Sequence, residues 1–340
     1  MSDKGAHAVP AKPSETEIIA RFFAPLAQEA DEALGLKDDA ALISPDREHD
    51  LVVTTDGLVA GQHFDADSDA RDIAFKALAV NISDLVAKGA EPYLYFLTLA
   101  LPEADPTWLQ AFADGLGEAQ SSFGCRLAGG DTVATAGPLT LSITAIGRVP
   151  TGEMVMRSRA SAGDYVYVSG SIGDAALALA LSQDPSLAAI WKLDEAQTSL
   201  LMAKLRRPAP PLALAPVLRA HANAAMDISD GLLGDFESLC RASGTGGEIM
   251  IEHIPLSHAA EQALAHDQSC RERIVTGGDD YQVLGAVSPA QCDGFEAACR
   301  AAEVTVTRIG VLSGPETGVC ARGPSGHKLS FDRLKYDHFR

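Results

Sequence analysis

Five short motifs place aspartate where an apolar segment stops: Thr54-Thr55-Asp56, Asn81-Ile82-Ser83-Asp84, Gly129-Gly130-Asp131, Asp227-Ile228-Ser229-Asp230-Gly231 and Gly277-Gly278-Asp279-Asp280. Carboxylates held at the ends of strands and helices can converge on one site, and a site so rich in negative charge needs a cation. Hard divalent ions, Mg²⁺ above all, bind oxygen donors of this kind together with substrate phosphates. The chemistry expected is phosphate chemistry assisted by Mg²⁺.

Each motif has its own reading. Asn81, Ser83 and Asp84 interrupt an otherwise apolar helix, where an unpartnered polar group costs about 1 to 3 kcal/mol. Asp84 is therefore expected as a metal ligand, against the simpler reading of a solvated Asn81, Asp84 and Lys88 stripe. Thr54 and Thr55 can add hydroxyl or carbonyl oxygens beside Asp56, and Asp38 and Asp39 could add more, although a lone Asp-Asp pair commonly marks a turn. Gly129 and Gly130 suggest a backbone brought close to a phosphate, or else a plain turn. Asp227 and Asp230 flank Ser229 around an expected helix start, where free N–H groups bind anions and Ser229 could cap. Arg157 is a candidate for a nucleotide phosphate, and His63 for substrate. Gly170 to Asp174 lacks the lysine and hydroxyl residue of a Walker A loop, so it reads as a packing turn.

The elements that must position these residues alternate. A short helix is expected over Glu15 to Glu32, a strand over Leu51 to Thr55 ending at Asp56, a helix over Asp72 to Lys88 stopped by Gly89, and a strand over Tyr93 to Leu101. A helix over Trp108 to Phe123, strands over Leu139 to Val149 and Tyr165 to Ser169, a helix over Ala175 to Leu181 and a strand over Ala225 to Ile228 follow. The pattern predicts an α/β (α+β) protein of two domains with mixed sheets and packed helices. Residues 1 to 15 read as a disordered lead, 16 to 150 as an N-terminal domain and 151 to 340 as a C-terminal α/β domain. Ile-Ser-Asp occurs at Ile82 to Asp84 and again at Ile228 to Asp230, an echo too short to establish a duplication.

Composition narrows the partners. The 340 residues are 46% hydrophobic and 21% charged, which suits packed cores. A net charge of -19 disfavours nucleic acid and anionic membrane surfaces as partners. No apolar run approaches the ~20 residues that span a bilayer, no signal peptide is expected in the polar start, and six cysteines without a C-x-x-C pair read as reduced cytoplasmic thiols.

In this order the motifs resemble those of the thiamine-monophosphate kinase family, within the superfamily typified by aminoimidazole ribonucleotide synthetase. The resemblance runs from about Leu34 to Phe339 and includes Lys76 to Asp84, Gly129 to Thr132, Asp227 to Leu232, Gly277 to Tyr281 and Tyr336 to Phe339. It implies transfer of the γ-phosphoryl group of ATP to thiamine monophosphate and a homodimer whose N-terminal domains pair through their sheets. Carried over by position, Asp39, Thr54, Thr55, Asp56, Asp84, Asp131, Asp227 and Asp230 would hold several Mg²⁺ ions. Gly129, Gly130, Asp131, Arg157 and Ser229 would meet ATP; His63, Asp279 and Arg333 would meet thiamine monophosphate. The chain departs from the family pattern at Lys37, where glycine is usual, at Asp279, where glutamate is usual, and at Arg333, where an aromatic residue often stands. Another ATP-using enzyme of the superfamily, of the hydrogenase-maturation or purine-synthetase type, and a nucleotide or Mg²⁺ sensor without turnover are the alternatives.

Overall fold

The computed structural model describes residues 13–38, 40–44 and 46–331. Within these residues the strands form two sheets. The first has four strands, β1 (His49–Val59), β2 (Glu91–Leu101), β3 (Arg126–Ala134) and β4 (Thr140–Pro150), in the order β1-β4-β2-β3. The second has seven: β5 (Tyr165–Ser169), β6 (Ala224–Ile228), β7 (Gly246–Met250), β8 (Gln282–Val287), β9 (Val306–Ser313), β10 (Val319–Arg322) and β11 (Lys328–Leu329), in the order β11-β10-β7-β9-β5-β8-β6. Pairing is mixed: β2 with β3 and β7 with β10 run parallel, whereas β5 pairs antiparallel with both β8 and β9.

The chain gathers into two compact units that are not contiguous in sequence. Of the described residues, one holds those up to Ile43 with Gly57–Ala77 and Leu94–Ile143; the other holds those from Ser44 to Asp56, Leu78–Tyr93 and those from Thr144 onward.

In the first unit the helix Pro106–Phe123 forms the crossover between the parallel strands β2 and β3. Its limits are set locally. The Asp105 carboxylate accepts from the Thr107 and Trp108 N–H groups, Pro106 occupies the first turn, and Gly124 ends the helix at φ 66°. The chain before the sheet does not form the one helix expected over Glu15 to Glu32. Ser14 and Glu17 build a capping box for Glu15–Ile18, and the path then continues through a π turn and separate 3₁₀ turns. Pro25 lacks the N–H that a continuous helix needs, and Ala30 is extended at ψ 94°.

The core of the second unit packs Trp191, Phe236, Leu232, Val168 and Ile309 around the larger sheet. Trp191 satisfies its indole N–H on Asp267 at 3.1 Å, and Tyr167 meets Phe295 edge-on with ring centres 5.1 Å apart. The turn Gly170 to Asp174 is a packing element: a Cβ on Gly173, which lies at φ 87°, would fall 2.7 Å from the Ile274 Cα.

The helix Ala70–Ala87 carries the first Ile-Ser-Asp segment, and Ile82, Leu85 and Val86 are fully buried. Asn81 and Ser83 are fully buried too, so this face is not a solvated stripe. All six cysteines are free and buried. No helix among the described residues is long and apolar enough to cross a membrane. Phe236, completely enclosed, should be the most sensitive point of the second unit's core: Phe236→Ala is expected to cost about 3 to 5 kcal/mol in urea unfolding.

Candidate active site

Three aspartates of the second unit meet around Asp84. β1 is longer than the sequence pattern suggests, because Leu58 continues the buried alternation, so Asp56 lies inside the strand rather than at its end. Strand alternation puts Thr54 and Asp56 on one face. The Thr54 hydroxyl donates to Asp84 Oδ2 at 2.5 Å. Thr55 faces the other way and accepts from the Thr144 hydroxyl at 3.0 Å, so any contribution of Thr55 to the cluster would come from its main chain. On the helix, Ser83 donates to Asp227 Oδ2 at 3.0 Å, which brings the two Ile-Ser-Asp segments together.

The electrostatics follow from burial and like charge. Burial, then the charge of Asp84, raises the Asp56 carboxyl to about 6. Asp227, on the fully buried strand β6, is driven well above the ordinary carboxylate range by burial and by Asp84 and Asp235, with the Ser83 hydrogen bond opposing. Lys88 supplies a cation beside them. Its ammonium donates to the Ala225 carbonyl at 2.7 Å, and its pKa is lowered by burial against the pull of Asp227 and Asp84. The exposed Arg157 is close enough to add to that lowering.

The loop after β6 differs from the expected helix start. The helix begins later, at Leu232, behind Gly231 at φ 122°, and has no side-chain cap, so Ser229 is not its cap. Instead Asp235, inside the first turns, reaches back: its Oδ2 accepts the N–H groups of Ser229 and Asp230, each at 3.1 Å. Burial and Asp230 raise the Asp235 carboxyl to about 7. Asp235 escaped the sequence reading, although a charge within Leu232-Leu233-Gly234-Asp235-Phe236 was its signal. The opposite wall of this loop is Gly277 to Tyr281. Asp279 N–H donates to the Ser229 carbonyl at 2.9 Å, and Tyr281 N–H to that of Ile228 at 2.8 Å.

The remaining candidates of the described residues lie in the first unit. Gly129, Gly130 and Asp131 are inside β3 rather than in a turn, and Ala128 is the extra residue of a bulge opposite Tyr95 and Phe96. Gly130 is required by packing, since a Cβ would fall 1.9 Å from the Leu97 carbonyl oxygen. Asp131 is exposed. The half-buried His63 accepts the Val59 N–H on Nδ1 at 3.0 Å, which leaves the ring proton on Nε2 in the neutral form. Asp39 and Arg333 lie outside the described residues, as does Tyr336.

Among the described residues the oxygen donors around Asp84 are the carboxylates of Asp56 and Asp227 and the hydroxyls of Thr54 and Ser83, the chemistry that suits Mg²⁺. Among the described residues no group of three or more acidic, histidine or cysteine side chains is placed to hold a metal ion by itself. Mg²⁺ does not require one, because it retains waters and takes phosphate oxygens as ligands. A cavity of about 560 Å³ lined by Met154, Met156, Arg159, Arg219 and Asn223 lies at the other end of β6 from Asp227.

Residues 37–149 match the N-terminal domain of AIR synthase related proteins and residues 161–320 match the C-terminal domain. The class is thus that of AIR synthase related proteins. A Caulobacter vibrioides thiamine-monophosphate kinase is 40% identical over 312 residues, covering 91% of this chain and 86% of its own. The crystal structure of thiamine-monophosphate kinase from Stenotrophomonas maltophilia K279a superposes with a TM-score of 0.81 at 38% identity, over 92% of this chain and 96% of that one. A structure of AaThiL complexed with AMPPCP and TMP gives a TM-score of 0.73 at 29% identity, over 87% and 89%. The chain belongs to the thiamine-monophosphate kinase family. Hydrogenase maturation protein HypE in complex with ATP has a TM-score of 0.74 over 96% of this chain and 97% of its own, but is only 18% identical, a likeness of fold alone.

The raised Asp56 carboxyl gives a signed prediction. A folded-state pKa above the unfolded value costs stability as pH rises from the ordinary carboxylate range through about 6, and the cost is complete above that. Without divalent cations, Asp56→Asn should therefore stabilise the protein at pH 8 by about 1 to 3 kcal/mol. The gain should disappear near pH 4, as read by thermal unfolding at the two pH values.

Proposed function

We propose that this chain transfers the γ-phosphoryl group of ATP to the phosphate of thiamine monophosphate, forming thiamine diphosphate and ADP. The observation that carries the reading is the meeting of Asp56 and Asp227 with Asp84, whose charge, after burial, opposes the ionisation of both, within a family of phosphotransferases. In the transfer, an oxygen of the acceptor phosphate bonds to the γ-phosphorus while the bond from that phosphorus to the ADP oxygen breaks. The acceptor oxygen is already ionised, so no side chain need remove a proton, and positioning with charge stabilisation is the main task of the protein.

Thr54, Asp56, Asp84 and Asp227 would hold Mg²⁺, with Asp230, Asp131, the Thr55 main chain and Asp39 as further ligands. When bound, Mg²⁺ supplies the positive charge that lets two phosphorylated substrates approach. The chain's own contributions are separate. Ser83 and Thr54 fix the Asp227 and Asp84 carboxylates, and Lys88 offsets part of their charge. Arg157 is suited to a nucleotide phosphate by its exposure and planar guanidinium, and Gly129, Gly130 and Ser229 would complete the nucleotide contacts. His63, Asp279 and Arg333 would meet the acceptor. The division near residue 150 into a metal- and ATP-binding N-terminal domain and a C-terminal α/β domain is part of this reading.

We also propose a homodimer and a cytoplasmic location. Six free, buried thiols support the second. For the first, the outward face of the edge strand β1 exposes Leu51 at 40% and Val53 at 59%, apolar area that a second copy would cover. Val53→Lys is expected to convert a dimer to a monomer in sedimentation velocity.

The function is tested by turnover with Mg²⁺ and ATP, offering thiamine monophosphate and, separately, thiamine. Thiamine diphosphate and ADP in equal amounts from the monophosphate alone are expected; a protein that binds ATP but forms neither product would be a sensor or use another acceptor. Asp84→Asn should lower kcat by about 100-fold or more while leaving the unfolding temperature close to that of the parent.

A further inference from the structure

Asp279 and Tyr281 are not glycine, yet both lie in the left-handed region, at φ 68° and 48°. That conformation costs a side-chain-bearing residue about 1 to 2 kcal/mol, and it persists where the surroundings over-determine it. Here the restraints are visible. The N–H groups of Asp279 and Tyr281 are held by the Ser229 and Ile228 carbonyls. Between them, Asp280 accepts the Gly173 N–H on Oδ1 at 2.8 Å. Gly278 presses on the same wall, for a Cβ there would fall 2.1 Å from the Ser229 oxygen.

Within this frame the Tyr281 hydroxyl donates to Asp279 Oδ1 at 2.9 Å. A phenol needed only to fill space would be served as well by phenylalanine. This one spends its donor on the neighbouring carboxylate, and burial with the charges of Asp279, Asp227 and Asp56 raises its pKa, so it remains a donor at physiological pH.

We propose that Tyr281 is a positioning residue for the acceptor: its hydroxyl fixes the plane of the Asp279 carboxylate, so that this anion meets the cationic heterocycle of thiamine monophosphate in one orientation. The inference rests on the reading of Asp279 as an acceptor-binding residue. It makes Tyr281 a determinant of acceptor affinity without direct contact with the nucleotide or the transferred group.

The test is steady-state kinetics of the full chain and of Tyr281→Phe, Asp279→Asn and the double variant, each substrate varied with the other saturating. Tyr281→Phe should raise KM for thiamine monophosphate by about tenfold, the loss of one hydrogen bond to a charged group, with KM for ATP and kcat within about twofold of the parent. The double variant should be no worse than Asp279→Asn alone, because the hydroxyl acts through that carboxylate. An unchanged KM for thiamine monophosphate in Tyr281→Phe, an equal rise in KM for ATP, or additive losses in the double variant would overturn the inference while the activity stands. A parent chain inactive on thiamine monophosphate would overturn the functional reading itself, and an Asp279→Asn variant with unaltered acceptor KM would remove the role of Asp279 and that of Tyr281 with it.

Discussion

Mutual repulsion among carboxylates that the fold nevertheless holds together is the constraint on which this protein turns. Burial first, and then the charge of Asp84, raises the pKa of Asp56 and of Asp227. Such an arrangement survives only if the surrounding structure is stiff. The stiffness comes from the apolar packing of Ile82, Leu85 and Val86 on either side of Ser83 and Asp84, and from β6, a strand buried at every position. The hydroxyls of Ser83 and Thr54 then donate to carboxylates that would otherwise turn away from one another.

Around this centre the chain arranges two loops that cannot move separately. The turn at Gly277 to Tyr281 hydrogen-bonds through its backbone to Ile228 and Ser229. Gly231 meets the same turn from the other side, since a Cβ there would fall 2.5 Å from the Thr276 carbonyl oxygen. Asp227, Ser229 and Asp230, proposed for the metal and nucleotide, and Asp279, proposed for the acceptor, thus share a backbone framework. Orientation between two substrates is a large part of catalysis when the protein provides no nucleophile.

Much of this was legible from residue order. The Asp84 helix, the Asp227 strand and the stop at Gly89 follow from periodicity and from glycine's tolerance of φ 70°, and the family likeness rests on motifs that recur in order. What was not legible depends on partners remote in sequence. Nothing local reveals that Thr55 turns away to Thr144, or that Gly130 is glycine because the Leu97 carbonyl lies against it. The expected single helix after Ser14 failed for a local reason, the missing N–H of Pro25, and Ser229 is no cap because the helix starts only at Leu232, behind Gly231. Fold alone would not have separated this family from the hydrogenase maturation protein, whose backbone is as similar as that of AaThiL.

The backward reach of Asp235 has a further consequence for recognition. A helix start ordinarily welcomes a bare anion through its unused N–H groups. Here the N–H groups of Ser229 and Asp230 are taken by Asp235, so neither is left for a bare anion. Beside them stand the carboxylates of Asp227 and Asp230, which would repel a naked polyphosphate and would suit one that arrives sheathed in cations.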